Sequence, residues 1–349
     1  MNIKNYLKKN APKIDDLIKN LIPRKIDKKS MEHMAGKARY AYDLDTLTKS
    51  LSEPIWDFLD RGGKRWRPTL MLLMIEAFGG DKEKHKDFAT IVELVHEGTI
   101  MVDDIEDDSD LRRGKKAIHK IFGNDIAINT GNAMYFLPSV IIKKSDFSEK
   151  KKNDLYETYL QEMINVSIGQ ALDIQWHKEE TIPSEKEYLQ MCAFKTGCLA
   201  RMATKMGALL ADASEEKVKK VGKWAEAVGI GFQIQDDILN IAPTEKWGKD
   251  TSDDINEGKK TLLVIKALEE LNKKDSEKLK KILSKHTENE KEIKKAIGLI
   301  KKTNAINYCK KIAEDMVKKA WKKLEPELQE GKAKNLIKKF SMFLVDRDI

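Results

Sequence analysis

The chain has 349 residues, of which 41% are hydrophobic, a fraction that predicts a large buried core and excludes a disordered polypeptide. Its net charge of +8 is spread over Glu/Lys-rich stretches without a basic block interleaved with aromatic residues, so we expect solvated helix surfaces and no nucleic-acid partner. No apolar run reaches the roughly 20 residues of a membrane-spanning helix, and the N-terminal residues lack the apolar core of a signal peptide.

Helical periodicity dominates the chain. Four long segments have apolar residues at spacings of three and four, the period of an amphipathic helix: 88–105, 154–176, 185–210 and 218–241. Strand-like alternation is nearly absent, and no linker divides the sequence. We therefore predict an all-α protein, folded as a single domain over residues 1–349 in a bundle of about a dozen helices, with residues 1–30 at its periphery.

The chain has three cysteines, Cys192, Cys198 and Cys309, and no two of them have the spacing of metal ligands. We interpret them as thiols outside any disulfide. Because disulfides are rare in reducing compartments, this interpretation predicts a cytoplasmic protein.

Residues 61–68 combine a glycine turn with several cations and a proline, in the order Arg-Gly-Gly-Lys-Arg-Trp-Arg-Pro. Glycine lets the backbone approach an anion closely, and arginine can contact phosphate through two hydrogen bonds at once. Taken alone, Lys64 and Arg67 could equally be surface cations or helix caps. Together with a metal site they would suit a diphosphate.

The helix predicted over 88–105 ends in a first acidic cluster. Asp103 and Asp107 are four residues apart, and Asp104 and Asp107 are three apart, so their carboxylates share one helix face. Such a cluster suits Mg²⁺, which prefers oxygen ligands and keeps positions open for substrate phosphates. The alternative is a solvated acidic helix end. His96 lies two helical turns before Asp103 on the same face.

A second acidic cluster ends the helix predicted over 218–241. It contains Gln233, Asp236, Asp237 and Asn240, and burying such polar groups is costly unless they have partners. Two acidic clusters, each closing an apolar helix, predict a cavity with metal ions held at one end. Cations that could hold the remaining diphosphate oxygens occur at four further places: Arg112 with Arg113, Lys195 beside Thr196, Lys249, and Lys259.

These motifs resemble those of the trans-isoprenyl diphosphate synthase (polyprenyl synthetase) family over residues 54–268. They occur in the order GGKRWRP (62–68), DDIED (103–107), LRRG (111–114), GQALD (169–173), KTG (195–197), FQIQDD (232–237) and EGKKT (257–261). The segment 121–136 is similar to geranylgeranyl diphosphate synthases of the eukaryotic type. The resemblance implies the isoprenoid synthase fold with a central apolar cavity, and a homodimer.

The family's chemistry joins isopentenyl diphosphate to an allylic diphosphate, and the resemblance assigns residues to each substrate. Isopentenyl diphosphate would be held by Lys64, Arg67, His96 and Arg113. The allylic diphosphate would contact Arg112, Lys195, Gln233, Lys249 and Lys259. Thr196 would help to stabilise the carbocation formed when the allylic carbon–oxygen bond breaks.

The resemblance also implies three Mg²⁺ ions. Two would be bound by Asp103, Asp104 and Asp107, and the third by Asp236 with Asp237 in support. Gln170 and Asp173 would orient metal-bound waters and Lys195. The catalytic set is then Asp103, Asp107, Lys195, Thr196, Asp236 and Lys259. Asn240 stands where the family commonly has an aspartate, so its role as a ligand is in doubt.

Product length is predicted from the residues one helical turn before Asp103. Gly98 and Thr99 are small, so a growing chain could pass this level. The resemblance to the eukaryotic-type enzymes implies that Tyr135 and Phe136 would form the floor. A twenty-carbon product, geranylgeranyl diphosphate, is therefore predicted. The alternatives are a farnesyl or longer-chain synthase, a terpene cyclase, a non-catalytic subunit of a heteromeric synthase, and a helical scaffold with accidental acidic runs.

Overall fold

The computed structural model describes residues 3–179, 181–242 and 253–345. These residues are mostly helical, which confirms the all-α class. In chain order the helices are α1 (Ile3–Leu21), α2 (Lys28–Ala35), α3 (Leu44–Leu47), α4 (Glu53–Asp60), α5 (Trp66–Ala77), α6 (Ala89–Glu106), α7 (Ile118–Phe122), α8 (Asn124–Phe136), α9 (Ser139–Lys143), α10 (Glu149–Lys178), α11 (Glu185–Lys195), α12 (Gly197–Leu210), α13 (Glu215–Ile241), α14 (Asp253–Asn256), α15 (Leu262–Glu270), α16 (Lys273–Leu283), α17 (Glu290–Lys301), α18 (Ala305–Leu324) and α19 (Lys332–Val345).

The β-sheet in the described residues is a small antiparallel hairpin. Strand β1 (Leu111–Arg112) pairs with β2 (Lys115–Lys116), so that Leu111 lies opposite Lys116 and Arg112 opposite Lys115. Arg113 and Gly114 form the two-residue loop, and both have positive φ angles, 54° and 76°. Such angles are typical of the tight turns that match the twist of paired strands.

The chain forms two compact units. The first comprises residues up to Tyr159 together with Met206–Ala213, and the second comprises Leu160–Lys205 and the residues from Ser214 onward. That residues 1–349 fold as one domain stays a prediction.

In the first unit, α6 packs against α1, α5 and α8. α1, from the segment predicted to be peripheral, buries one apolar face that includes Ile14 and Ile18. α6 and α8 cross closely at two glycines, because a Cβ on Gly98 would lie 2.9 Å from Met134 Cβ and 3.0 Å from the Gly131 carbonyl oxygen. This crossing fixes the helix that carries the first acidic cluster.

In the second unit, α13 packs against α11, α15, α18 and α19 and is buried along most of its length. The predicted helix 185–210 is interrupted at Thr196, which separates α11 from α12. α11 begins with a capping box, in which the Ser184 and Glu187 side chains each accept a hydrogen bond from the other's backbone N–H. The second acidic cluster lies in the last turns of α13.

Among the described residues, no helix is both long and apolar enough to cross a membrane. Cys192, Cys198 and Cys309 are buried, and none forms a disulfide. The cytoplasmic location stays a prediction.

Candidate active site

Arg67, a residue predicted to bind an anion, follows the turn before α5 and contacts α6. Arg67, in the first turn of α5, is buried, and its Nη1 lies 2.8 Å from His96 Nε2. Because arginine only donates hydrogen bonds, this ring nitrogen accepts, and His96 is neutral. Burial, followed by the charges of Arg67 and Arg113, lowers the pKa of His96 well below its usual value. Lys64, by contrast, is exposed in the turn.

The first acidic cluster lies at the C-terminal end of α6. Asp107 is the capping residue, and its N–H donates to the Asp103 carbonyl over 2.9 Å, so the predicted four-residue register is kept. Asp104 is 1% exposed and pairs with Arg112, whose Nε lies 2.6 Å from Asp104 Oδ1. Burial raises the pKa of Asp104, while this arginine lowers it.

The hairpin directs its two adjacent arginines to different acids on α6. Arg112 contacts Asp104, whereas Arg113 Nη2 lies 2.9 and 3.1 Å from the two carboxylate oxygens of Glu97. Arg113 Nη1 also donates to the Gly62 carbonyl, in the turn before α5. That Arg112 and Arg113 serve two different substrates stays a prediction.

In the second unit, two glycines hold the break between α11 and α12. A Cβ on Gly169 of α10 would lie 2.8 Å from Lys195 Cα, and one on Gly229 of α13 would lie 2.5 Å from Gly197 Cα. Only glycine permits backbones to approach so closely. The backbone of Lys195, Thr196 and Gly197 is therefore enclosed by helices on two sides.

Lys195 and Asp173 form an ion pair in this unit, with Lys195 Nζ 2.5 Å from Asp173 Oδ2. His177 Nε2 lies 3.2 Å from the other Asp173 oxygen. Burial acts to raise the pKa of Asp173, but the contact with His177 and the charge of Lys195 outweigh burial and lower this pKa. The structure thus brings Asp173 to Lys195 as predicted. Gln170, one turn earlier on α10, is half-buried.

A chain of hydrogen bonds joins Thr196 to the second acidic cluster. The Thr196 hydroxyl donates to Gln233 Oε1 over 2.8 Å, and Gln233 Nε2 donates to Asp237 Oδ1 over 2.9 Å. The Tyr188 hydroxyl donates to Asp237 Oδ2. Burial, followed by the charge of Asp254, raises the pKa of Asp237. Asp237 therefore organises its neighbours from a buried position, whereas Asp236 is half-buried.

Asn240 contacts the backbone of α14, since its Oδ1 accepts a hydrogen bond from the Asp254 N–H over 3.3 Å. Asp254 Oδ1 lies 3.4 Å from Lys259 Nζ, and Glu257 lies 2.5 Å from the same nitrogen. Burial lowers the pKa of Lys259, but Asp254 and Glu257 raise it overall. Lys259 is thus held as a cation beside α14. Lys249 lies outside the described residues.

Two of the residues predicted to set product length, Gly98 and Phe136, need correction. A Cβ on Gly98 would point into α8 at the helix crossing, so this position has no open volume for a larger side chain. Phe136 is 68% exposed in the described chain and cannot form a buried floor within it. Tyr135 donates to the Gly98 carbonyl over 3.5 Å, and Thr99 is half-buried, with its hydroxyl donating to the His96 carbonyl.

Sequence reasoning missed three residues of these sites: Glu97, Asp254 and Tyr188. Asp254 could have been found, because it follows another aspartate and lies five residues before Lys259. Glu97 is next to His96 and could have been noticed as a charged residue in an apolar helix. Nothing in the sequence pattern distinguishes Tyr188 from an ordinary core residue.

The carboxylates fit Mg²⁺ as partial ligands. Asp104 Oδ2 is buried and has no hydrogen-bond partner among the described residues, as expected of an oxygen available to a cation. Across residues 3–179, 181–242 and 253–345, no three acidic, histidine or cysteine side chains are grouped closely enough to hold a metal ion. Mg²⁺ is commonly bound through one or two carboxylates together with substrate phosphates and water. Three ions per site stays a prediction.

Comparison with known proteins gives a consistent result. The family described as polyprenyl synthetase matches residues 48–300. A short chain isoprenyl diphosphate synthase of Methanothermobacter thermautotrophicus is 34% identical, over 87% of this chain and 92% of that protein. A geranylgeranyl pyrophosphate synthase of Geoglobus acetivorans is 33% identical, over 83% and 89%. The crystal structure of geranylgeranyl pyrophosphate synthetase from Pyrococcus horikoshii superposes with a TM-score of 0.86 at 32% identity, covering 99% and 98% of the two chains.

Proposed function

Because this chain belongs to the polyprenyl synthetase family and is therefore a prenyltransferase, we propose that it makes geranylgeranyl diphosphate from isopentenyl diphosphate and an allylic diphosphate, with Mg²⁺ as its metal. The observation that carries the proposal is the set of cations around α6, where Arg67 contacts His96 and Arg113 lies beside Glu97. A terpene cyclase would need no such second anion site.

The first unit would hold the isopentenyl diphosphate. Arg67 and Arg113 are planar cations with several N–H donors, which suits the oxygens of a diphosphate. Neutral His96 fixes the orientation of Arg67 through the 2.8 Å hydrogen bond. Exposed Lys64, in the turn before α5, would add a further charge.

The allylic diphosphate would be held through its negative charge. Mg²⁺ ions held by Asp103, Asp104 and Asp107 of the first unit, and a further ion held by Asp236 of the second, would supply positive charge to the departing diphosphate. Lys195 and Lys259, each already held as a cation by carboxylates, would neutralise further oxygens of the same group. Carbon–oxygen bond cleavage leaves an allylic carbocation, the isopentenyl double bond attacks it, and one proton passes to the released diphosphate.

We propose a twenty-carbon product because similar proteins are geranylgeranyl diphosphate synthases. Thr99 is consistent with this length, since it is small and half-buried in α6. The test is chromatography of the products formed from isopentenyl diphosphate with dimethylallyl, geranyl or farnesyl diphosphate, with Mg²⁺ and with excess chelator. We expect a twenty-carbon product that requires the metal. A main product of fifteen or of twenty-five or more carbons would contradict the proposed length, and full turnover in chelator would contradict the metal.

We also propose a homodimer, formed through the exposed apolar side of α10. Leu160, Ile164 and Ile168 recur every four residues and are 53%, 53% and 45% exposed. A contiguous apolar stripe on a helix is unfavourable in water and is commonly covered by a second copy. Light scattering should give twice the chain mass for the wild type and the chain mass for Ile164→Asp. An Ile164→Asp variant that stays dimeric would place the interface elsewhere.

A further inference from the structure

Glu97 is a carboxylate buried in the first unit, 0% exposed, in the middle of α6. Its Oε1 lies 2.5 Å from Arg65 Nη1, and both of its oxygens contact Arg113. Burying a charge costs free energy unless it is paired and hydrogen-bonded. Glu97 meets this condition through two arginines from different parts of the chain.

Arg65 is the fixed side of this network. It is 2% exposed, and its guanidinium donates to Asp15, Glu93 and the Leu59 carbonyl over 2.9 Å in each case. With every edge of the guanidinium engaged, Arg65 cannot easily leave Glu97. The Glu97 carboxylate is therefore held in place by an arginine that lies outside the hairpin.

Arg113 is the adjustable side. Its backbone has a φ of 54°, in the left-handed region that non-glycine residues seldom adopt, at the tip of a four-residue sheet. Its side chain is only partly buried, and it is held by Glu97 and by the Gly62 carbonyl. These contacts use three hydrogen bonds, and a guanidinium has five N–H donors, so donors remain for a bound anion.

We infer that Glu97 is a positioning residue: its carboxylate orients the Arg113 guanidinium so that the remaining N–H groups can bind the diphosphate of isopentenyl diphosphate. The inference rests on the proposed function, which assigns this anion to Arg113. Glu97 itself would not touch the substrate, since it is buried beneath Arg113 and carries the same sign of charge as a diphosphate.

Glu93 supplies a matched control. It lies one turn earlier on α6, is 2% exposed, and accepts a hydrogen bond from Arg65 Nη1 over 2.9 Å. Arg113, by contrast, contacts Glu97. Glu93→Gln and Glu97→Gln therefore each replace a buried carboxyl group that contacts the same arginine. Only the second also removes the support of Arg113.

The test measures binding of isopentenyl diphosphate to the full chain by titration calorimetry in Mg²⁺ buffer, and the KM of each substrate. Loss of one charge-assisted contact predicts that Glu97→Gln weakens isopentenyl diphosphate binding by about tenfold or more, leaving the allylic KM within about twofold. Glu93→Gln should leave both values near wild type. In an Arg113→Gln background, Glu97→Gln should add no further loss, because its effect passes through Arg113.

Other outcomes would overturn the inference. These are unchanged or tighter binding in Glu97→Gln, equal effects of the two glutamine variants, or an undiminished effect in the Arg113→Gln background. If Glu97→Gln fails to fold, Glu97→Asp keeps the charge, shortens the side chain by one methylene, and should show the same selective loss. Failure of the proposed function is distinct, because the wild type would then form no prenyl product from isopentenyl diphosphate.

Discussion

Replacing Gly169 by alanine should damage both stability and the placement of Lys195. The new Cβ would lie 2.8 Å from Lys195 Cα and from the Phe194 carbonyl carbon, and nearer still to the Lys195 nitrogen. Ordinary contacts begin near 3.4 Å, so α10 and the end of α11 must separate by about half an ångström or more. Backbone atoms have no rotamer to change, so the strain falls on helix packing.

Two opposing effects determine how much Gly169→Ala changes the free energy of unfolding. Overpacking costs about 1–3 kcal/mol and occasionally more, and a clash with backbone belongs at the upper end. Alanine in place of glycine favours a helix by about 1 kcal/mol. We therefore expect Gly169→Ala to lower the free energy of unfolding by about 2 kcal/mol. Because Lys195 moves with α11, kcat/KM for the allylic substrate should fall by about tenfold or more.

Gly298 in α17 is the matched control, since a Cβ there meets nothing within 4 Å. Gly298→Ala should raise the free energy of unfolding by about 0.5–1 kcal/mol and leave turnover unchanged. Urea denaturation followed by circular dichroism measures the first quantity, and steady-state kinetics the second. The reasoning is refuted if Gly169→Ala is as stable and active as Gly298→Ala.

Three further predictions concern the proposed substrates and the histidine. Asp103→Ala or Asp236→Ala should each reduce turnover by roughly a hundredfold or more, and wild-type rates in both would place the metal elsewhere. Arg67→Ala should mainly raise the KM for isopentenyl diphosphate and Lys195→Ala that for the allylic substrate, whereas equal shifts of both constants would contradict the division. Burial and nearby arginines lower the pKa of His96 in the folded chain, so below about pH 6.5 the unfolded state takes up the proton first. The free energy of unfolding should therefore fall with decreasing pH by up to about 1.4 kcal/mol per pH unit, less steeply in His96→Gln, and identical slopes in urea titrations would refute this.

The acidic clusters could be predicted from sequence because their partners are close along the chain. Asp107 lies three residues after Asp104 and four after Asp103, so the helical period alone places all three residues at the end of α6. The same holds for the long helices, whose apolar spacing is visible in any window. Thr196 shows the limit, because the apolar spacing over 185–210 predicted one helix, whereas the structure separates α11 from α12 at this residue.

The remaining features depend on contacts between distant segments. Glu97 meets Arg113 only because the hairpin turns back along α6, and two-residue strands leave no periodic signal. Gly98 was interpreted as open space for a product, although a small residue on a buried helix face serves equally well for a close crossing with Gly131. Phe136 was placed at the floor by resemblance to the eukaryotic-type enzymes, but here this apolar residue is exposed.

The β1–β2 hairpin has a consequence for how this sequence can diverge. Arg112 and Arg113 are adjacent, yet they serve Asp104 and Glu97, two helical turns apart. A substitution in the hairpin changes one of these pairings, but an insertion or deletion shifts the register and reassigns both arginines together. Exposed loops usually tolerate length changes. When insertions and deletions along the gene are scored for function, the segment 111–116 should instead keep a constant length in the functional variants, even where its codons have changed.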